Sequence, residues 1–212
     1  MVPNCIFCRN LFRNAVWNLL FCKKIIAIQT LPGRKSKITV KNTAELSFHT
    51  IYAWCFRNNL FFAIIMLLLT TLLLFFTQTL EIGMSCLLVY LVGFLGSVSI
   101  HEYLHIVFMR RFGVKTVKIS YGIWKASITT EENLTGANLI QTAVLGPAVT
   151  FLIGLCGMFF SRQCDSGIIE VISGIYMLHI VNVIPPLGDG KMILKGILTV
   201  KNGKGSKKRY EK

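Results

Sequence analysis

Acidic residues are scarce in this chain: nine Asp and Glu among 212 residues, against 23 Lys and Arg. Charged residues of both signs make up only 15% of it and hydrophobic residues 53%, with a mean hydropathy of +0.60. A soluble domain carries about 25% charged residues, so the polar side chains here are too few to cover a globule in water. An ordinary cytosolic enzyme is excluded. Cysteine is limited to seven, an odd number, and Cys5, Cys8, Cys22 and Cys55 share one basic segment. That segment is expected in the cytosol, where thiols stay reduced, so no disulfide framework is expected. The Cys5-x-x-Cys8 spacing suits a metal, but a structural zinc site takes four ligands and the nearest histidine is His49. A metal there is the lesser reading; small apolar residues at a membrane surface is the greater.

What the chain has instead is long apolar blocks, at residues 60–79, 83–109, 139–160 and 167–187. Each approaches the ~20 residues an α-helix needs to cross a hydrocarbon core. The run Phe61-Phe62-Ala63-Ile64-Ile65-Met66-Leu67-Leu68-Leu69 is apolar on every side, which the outer face of a soluble helix does not tolerate. Four transmembrane helices are predicted. Arg9 and Arg13 interrupt the start of the chain, so it does not read as a cleaved signal peptide.

Lys and Arg number nine in residues 1–59, none between the first two helices, five between the second and third, one between the third and fourth, and eight after the fourth. This alternation follows the positive-inside rule. Both termini and the loop 110–138 are expected in the cytosol, and the formal charge of +14 becomes a topology signal plus attraction to anionic lipid. No basic face on a soluble module is visible, so nucleic acid is not an expected partner. In residues 1–59, apolar stretches at 16–21 and 25–28 flank Lys23-Lys24, a pattern fitting an interfacial segment. The chain thus divides into a basic segment 1–59, a first helix 60–80, a core 81–195 and a basic tail 196–212 that is expected to lose order at its end.

The chemistry lies in His101-Glu102-Tyr103-Leu104-His105, within the second helix. Histidines at i and i+4 are about 40° apart around a helix and 6 Å along it, so both imidazoles reach one metal ion. Glu102, beside them, can accept a proton from a water bound to that metal. Arg110 marks the cytosolic end of the helix, placing His101 roughly 13 Å into the apolar layer. Ionisable groups at that depth are costly and are kept mainly for function. Gly93, Ser97, His101 and His105 recur every four residues, a small-residue stripe that favours close helix packing.

Two histidines leave a catalytic zinc one ligand short. Glu81, Glu170 and Asp165 fall near the outer face and Glu131 and Glu132 in the cytosolic loop. Asp189 arrives at the leaflet of the histidines, after Asn182-Val183-Ile184-Pro185-Pro186-Leu187-Gly188. Prolines break a helix and glycines permit tight turns, so the backbone there can aim a carboxylate. His179 precedes Asn182 by three residues and is read as a satisfied histidine of the bundle.

His101-Glu102-x-x-His105, Arg110-Arg111-Phe112-Gly113-Val114, Leu145-Gly146-Pro147 and Asn182-x-x-Pro185 with Asp189-Gly190 together resemble the site-2 protease family of intramembrane zinc metalloproteases, over about residues 83–195. The resemblance implies an all-α integral membrane protein of a bacterial cell membrane that cleaves a membrane-spanning or membrane-associated substrate near the cytosolic face. One Zn2+ per chain would be held by His101, His105 and Asp189, with Glu102 as general base and Asn182 positioning the substrate or the developing oxyanion. The chain departs from the family pattern in three places. Asn182 and Asp189 are seven rather than eight residues apart, Gly188 stands where Leu is common, and Gly146-Pro147 is followed by Thr150 rather than Asn. A non-catalytic membrane protein, such as a degenerate protease homologue or a metal or small-ligand transporter, is the rival reading, and a zincin with a glutamate as third ligand is a further one. The oligomeric state is not legible.

Between the second and third helices Val117, Ile119, Tyr121 and Ile123 alternate with Lys118, Ser120 and Gly122, the period of a strand half-buried on one face. Two outcomes are open: a short cytosolic-side sheet that offers an edge to an extended substrate, or a hairpin lying on lipid.

Overall fold

A computed structural model describes residues 36–210, apart from 78, 79, 123, 124, 131 and 133. Residues 1–35, which include Cys5, Cys8 and the expected interfacial stretches, lie outside the described residues.

The chain enters as strand β1 (Ser36–Val40) and, after a 3-10 turn at Thr43–Glu45, forms helices α1 (Phe48–Asn58) and α2 (Leu60–Thr77). Ser47 caps α1, its hydroxyl accepting from the Thr50 amide. Helix α3 (Leu80–Leu88) runs into a π-helical segment (Val89–Gly96) and then into α4 (Ser97–Arg111), which carries the histidine motif. Strands β2 (Val117–Gly122) and β3 (Lys125–Thr129) follow, then the long helix α5 (Gly136–Cys164). The last apolar stretch is helix α6 (Gly167–Met177), a 3-10 segment (Leu178–Val183) and helix α7 (Gly188–Tyr210).

Among the described residues, three stretches are long and apolar enough to cross a membrane: Glu81–Arg111, Gly136–Cys164 and Gly167–Lys201. The expected first span is helical, but α1 and α2 meet at a 71° bend, and only taken together as one bent stretch do they add a fourth. Leu67, Leu68, Leu72 and Phe75 of α2 are exposed.

The fourth apolar block is not one helix ending at its prolines. It narrows to 3-10 geometry from Leu178, and an α-helix resumes at Gly188. Two consecutive prolines supply no amide hydrogens, and each disfavours helical backbone in the residue before it, so no α-helix runs through Pro185 and Pro186. The region separated as a basic tail from residue 196 continues α7 to Tyr210.

The sheet is antiparallel in the order β1-β2-β3, with Val40 opposite Val117 and Ile119 opposite both Ile38 and Ile128. Val117, Ile119 and Ile128 are buried and share a core with Leu46, Ile51, Cys55, Ile106, Met109 and Val114. One face of the sheet is therefore packed on α1 and α4. This resolves the alternation in β2 in favour of a sheet, and it adds β1, a strand drawn from the segment read as interfacial.

The end of α4 is fixed to this core. Gly113, at φ 82°, closes the helix: its amide donates to the Arg110 carbonyl (3.0 Å) and the Val114 amide to the Met109 carbonyl (3.1 Å), the pairing of a Schellman cap. The Arg110 guanidinium donates to the carbonyls of Thr43 and Leu46, while the Thr43 hydroxyl donates to the Val114 carbonyl. The histidine helix is thus held at its basic end by sheet and turn together.

The π segment upstream has side-chain support of its own. The Tyr52 hydroxyl donates to the Leu91 carbonyl (3.2 Å) and the Tyr176 hydroxyl to the Val92 carbonyl (3.3 Å). A widened turn leaves carbonyls poorly served within the helix, and in an apolar surrounding such groups need partners from elsewhere. Two tyrosines from α1 and α6 provide them.

Candidate metal centre

Helix α4 presents His101 and His105, and the first turn of α7 presents Asp189. Both histidines are buried and Asp189 is half-buried. The Nε2 atoms of the histidines are 3.2 Å apart, with ring planes perpendicular. His101 Nε2 lies 3.1 Å from Asp189 Oδ2, and His105 Nε2 lies 3.3 Å from Asp189 Oδ1. Ligands about 2.0–2.1 Å from a tetrahedral zinc are separated by about 3.3 Å. The two imidazole nitrogens stand at about that separation, each lies at about it from a different oxygen of the Asp189 carboxylate, and one ligand atom from each of the three residues lies within 4.8 Å of the others.

The hydrogen-bond pattern points the same way. His105 Nδ1 lies 2.8 Å from the Thr142 carbonyl of α5 and, facing an acceptor, carries the ring proton. Its Nε2 is then a bare lone pair, and it faces a carboxylate oxygen and another imidazole nitrogen. Lone pairs gathered this closely repel unless a cation lies between them. The contact to Thr142 has the form of the outer partner that fixes tautomer and ring orientation in metal-bound histidines. The residues present fit a divalent metal ion, and His101, His105 and Asp189 are the described residues that can hold it.

Two glycines make the approach possible. A β-carbon on Gly146 would stand 2.7 Å from His105 Cε1 and 2.9 Å from its Nε2, and one on Gly190 would stand 2.5 Å from Pro185 N. Gly146→Ala is expected to displace the His105 ring and weaken zinc binding by about 10–100-fold, the range seen when the support of a ligand is lost. Competition with a calibrated chelator measures it. Unchanged affinity would mean that the ring position is not critical.

Glu102 is buried beside His101 on α4. Asn182 is half-buried in the 3-10 segment, on the connection that delivers Asp189. The Thr150 hydroxyl donates to the Gly146 carbonyl within its own helix (2.8 Å). His49 is exposed on α1.

His179 corrects its sequence reading. It was expected as a satisfied bundle histidine, yet its ring stacks on that of His101, with centroids 4.7 Å apart and planes at 30°, and its Nδ1 is buried without a hydrogen-bond partner. The signal was its place one helical turn before Asn182.

Fold and cluster together define a largely helical protein with three stretches able to cross a membrane and, between two of them, a His/His/Asp set able to hold a metal ion. Comparison of the chain with protein-family models, curated proteins and solved structures finds no match.

Proposed function

We propose that this protein is an intramembrane zinc endopeptidase acting on a membrane-spanning or membrane-associated peptide near the cytosolic face. The observation that carries the reading is the convergence of His101, His105 and Asp189, with one ligand atom from each within 4.8 Å of the others, next to the buried Glu102 and inside apolar helices. The distribution of Lys and Arg supports the cytosolic leaflet for that end of α4.

His101, His105 and Asp189 would hold the zinc, which when bound would supply Lewis acidity and make a nearby water easier to deprotonate. Glu102 takes a proton from the attacking water and passes it to the leaving amine nitrogen as the C–N bond breaks. The Thr142 carbonyl holds His105 in the tautomer that leaves Nε2 free to bind. Asn182 positions the substrate carbonyl. A helical substrate has its peptide bonds shielded, so it must be extended before attack; β3, an outer strand of the described sheet that packs against α4, offers an edge for that purpose.

The test is cleavage of a single-spanning peptide by the purified protein in liposomes. Treatment with 1,10-phenanthroline is expected to abolish cleavage, and one equivalent of zinc to restore it. Cleavage indifferent to the chelator, or none across a panel of spanning peptides by zinc-loaded protein, contradicts the proposal.

A further inference from the structure

We propose that His179 is a catalytic residue, a hydrogen-bond donor to the substrate carbonyl oxygen as that oxygen gains negative charge. The inference rests on the hydrolase reading above and adds to it a residue outside the ligand set.

His179 reaches the cluster from the 3-10 segment Leu178–Val183, whereas the ligands come from α4 and α7. Its ring lies face to face with His101 at 4.7 Å and 30°. The lone pairs of an imidazole lie in the plane of its ring, so an ion in the plane of His101 is off the plane of His179. Stacking thus separates the two rings in function: one can bind the metal while the other lies over the binding site's edge. Consistent with this, His179 is not among the residues whose ligand atoms converge.

Nδ1 of His179 is buried and without a partner. Leaving a polar atom buried and unpaired is costly, and at a site a bound partner is one way to meet it. Hydrolysis of a peptide bond by attack of water creates one group in need of a donor, the carbonyl oxygen, which becomes an oxyanion in the transition state. A donor placed there beforehand stabilises the transition state more than the ground state. The step balances without further reagents. The water oxygen bonds to the carbonyl carbon, the C–N bond breaks, the proton lost by water reaches the amine through Glu102, and His179 keeps its own proton throughout.

Two variants and two readouts test the proposal. His179→Phe keeps a ring to stack on His101 but has no nitrogen; His179→Asn places an amide nitrogen near the position of Nδ1. Both are expected to retain one zinc per chain, which also reports that they fold. For cleavage in liposomes, His179→Phe is expected to lower kcat about 10²-fold with KM within twofold, and His179→Asn to recover at least tenfold of that loss. For binding of acetohydroxamate to the zinc-loaded protein, followed by calorimetry, the Phe variant is expected to bind roughly tenfold more weakly and the Asn variant to restore affinity. Loss of zinc from both variants, or a kcat for His179→Phe equal to wild type, overturns the proposal. If wild-type protein cleaves nothing, the hydrolase reading falls by itself and the hydroxamate arm decides His179: weakening by Phe with rescue by Asn upholds the donor, and equal affinities overturn it.

Discussion

Glu102→Gln is expected to retain one zinc per chain and to lose cleavage of a spanning peptide by at least about 10³-fold. General acid–base catalysis by a positioned side chain contributes about 10²–10⁴-fold, and this residue performs both proton transfers of the proposed reaction. Glutamine keeps the volume and much of the packing of the buried glutamate, so the helix that carries His101 and His105 is left in place. Neither of its amide atoms can take a proton from water at neutral pH. The comparison is made on purified protein by metal analysis and by cleavage assay on one sample. A transporter or a degenerate homologue would show no activity to lose, and cleavage that survives the substitution would remove Glu102 from the mechanism.

Asp189→Ala is expected to lose zinc, with affinity falling by more than about 100-fold. Loss of a supporting residue alone typically costs 10–100-fold, and Asp189 is a direct ligand in this account. It is also the one negative charge in the set: its two oxygens contact both histidines, at 3.1 and 3.3 Å. Without it, two neutral imidazoles remain, short of the three protein ligands usual for a catalytic zinc. Metal analysis after dialysis against a weak chelator reads the loss. Full retained occupancy would return the third position to another carboxylate, and with it the zincin reading that used a glutamate.

The ligand set was legible because apolar sequence makes ionisable residues conspicuous. With nine acids in the chain, membrane depth alone sorted Asp189 from the others, and the i, i+4 histidines needed only helical geometry. Other features left no local trace. Strand β1 is five residues long and pairs with β2 some eighty residues away, a partnership that no window around residue 36 reports. The π segment Val89–Gly96 is apolar on all sides, so hydropathy does not distinguish its hydrogen-bond register from that of an α-helix; Tyr52 and Tyr176, which sustain it, are distant in sequence. The prolines announced a break before Asp189, but its upstream reach to Leu178 depends on packing. That reach brings the ring of His179 over that of His101, a contact that no local pattern reports.

The account's central claim, that His101, His105 and Asp189 hold one catalytic zinc, is tested most directly by zinc K-edge X-ray absorption on the purified protein. The expected spectrum has stoichiometric zinc with only nitrogen and oxygen neighbours at about 2.0–2.1 Å and the outer-shell scattering of two imidazoles. A sulfur shell at about 2.3 Å, which would place the metal on cysteines, or zinc well below one per chain after loading, would contradict it.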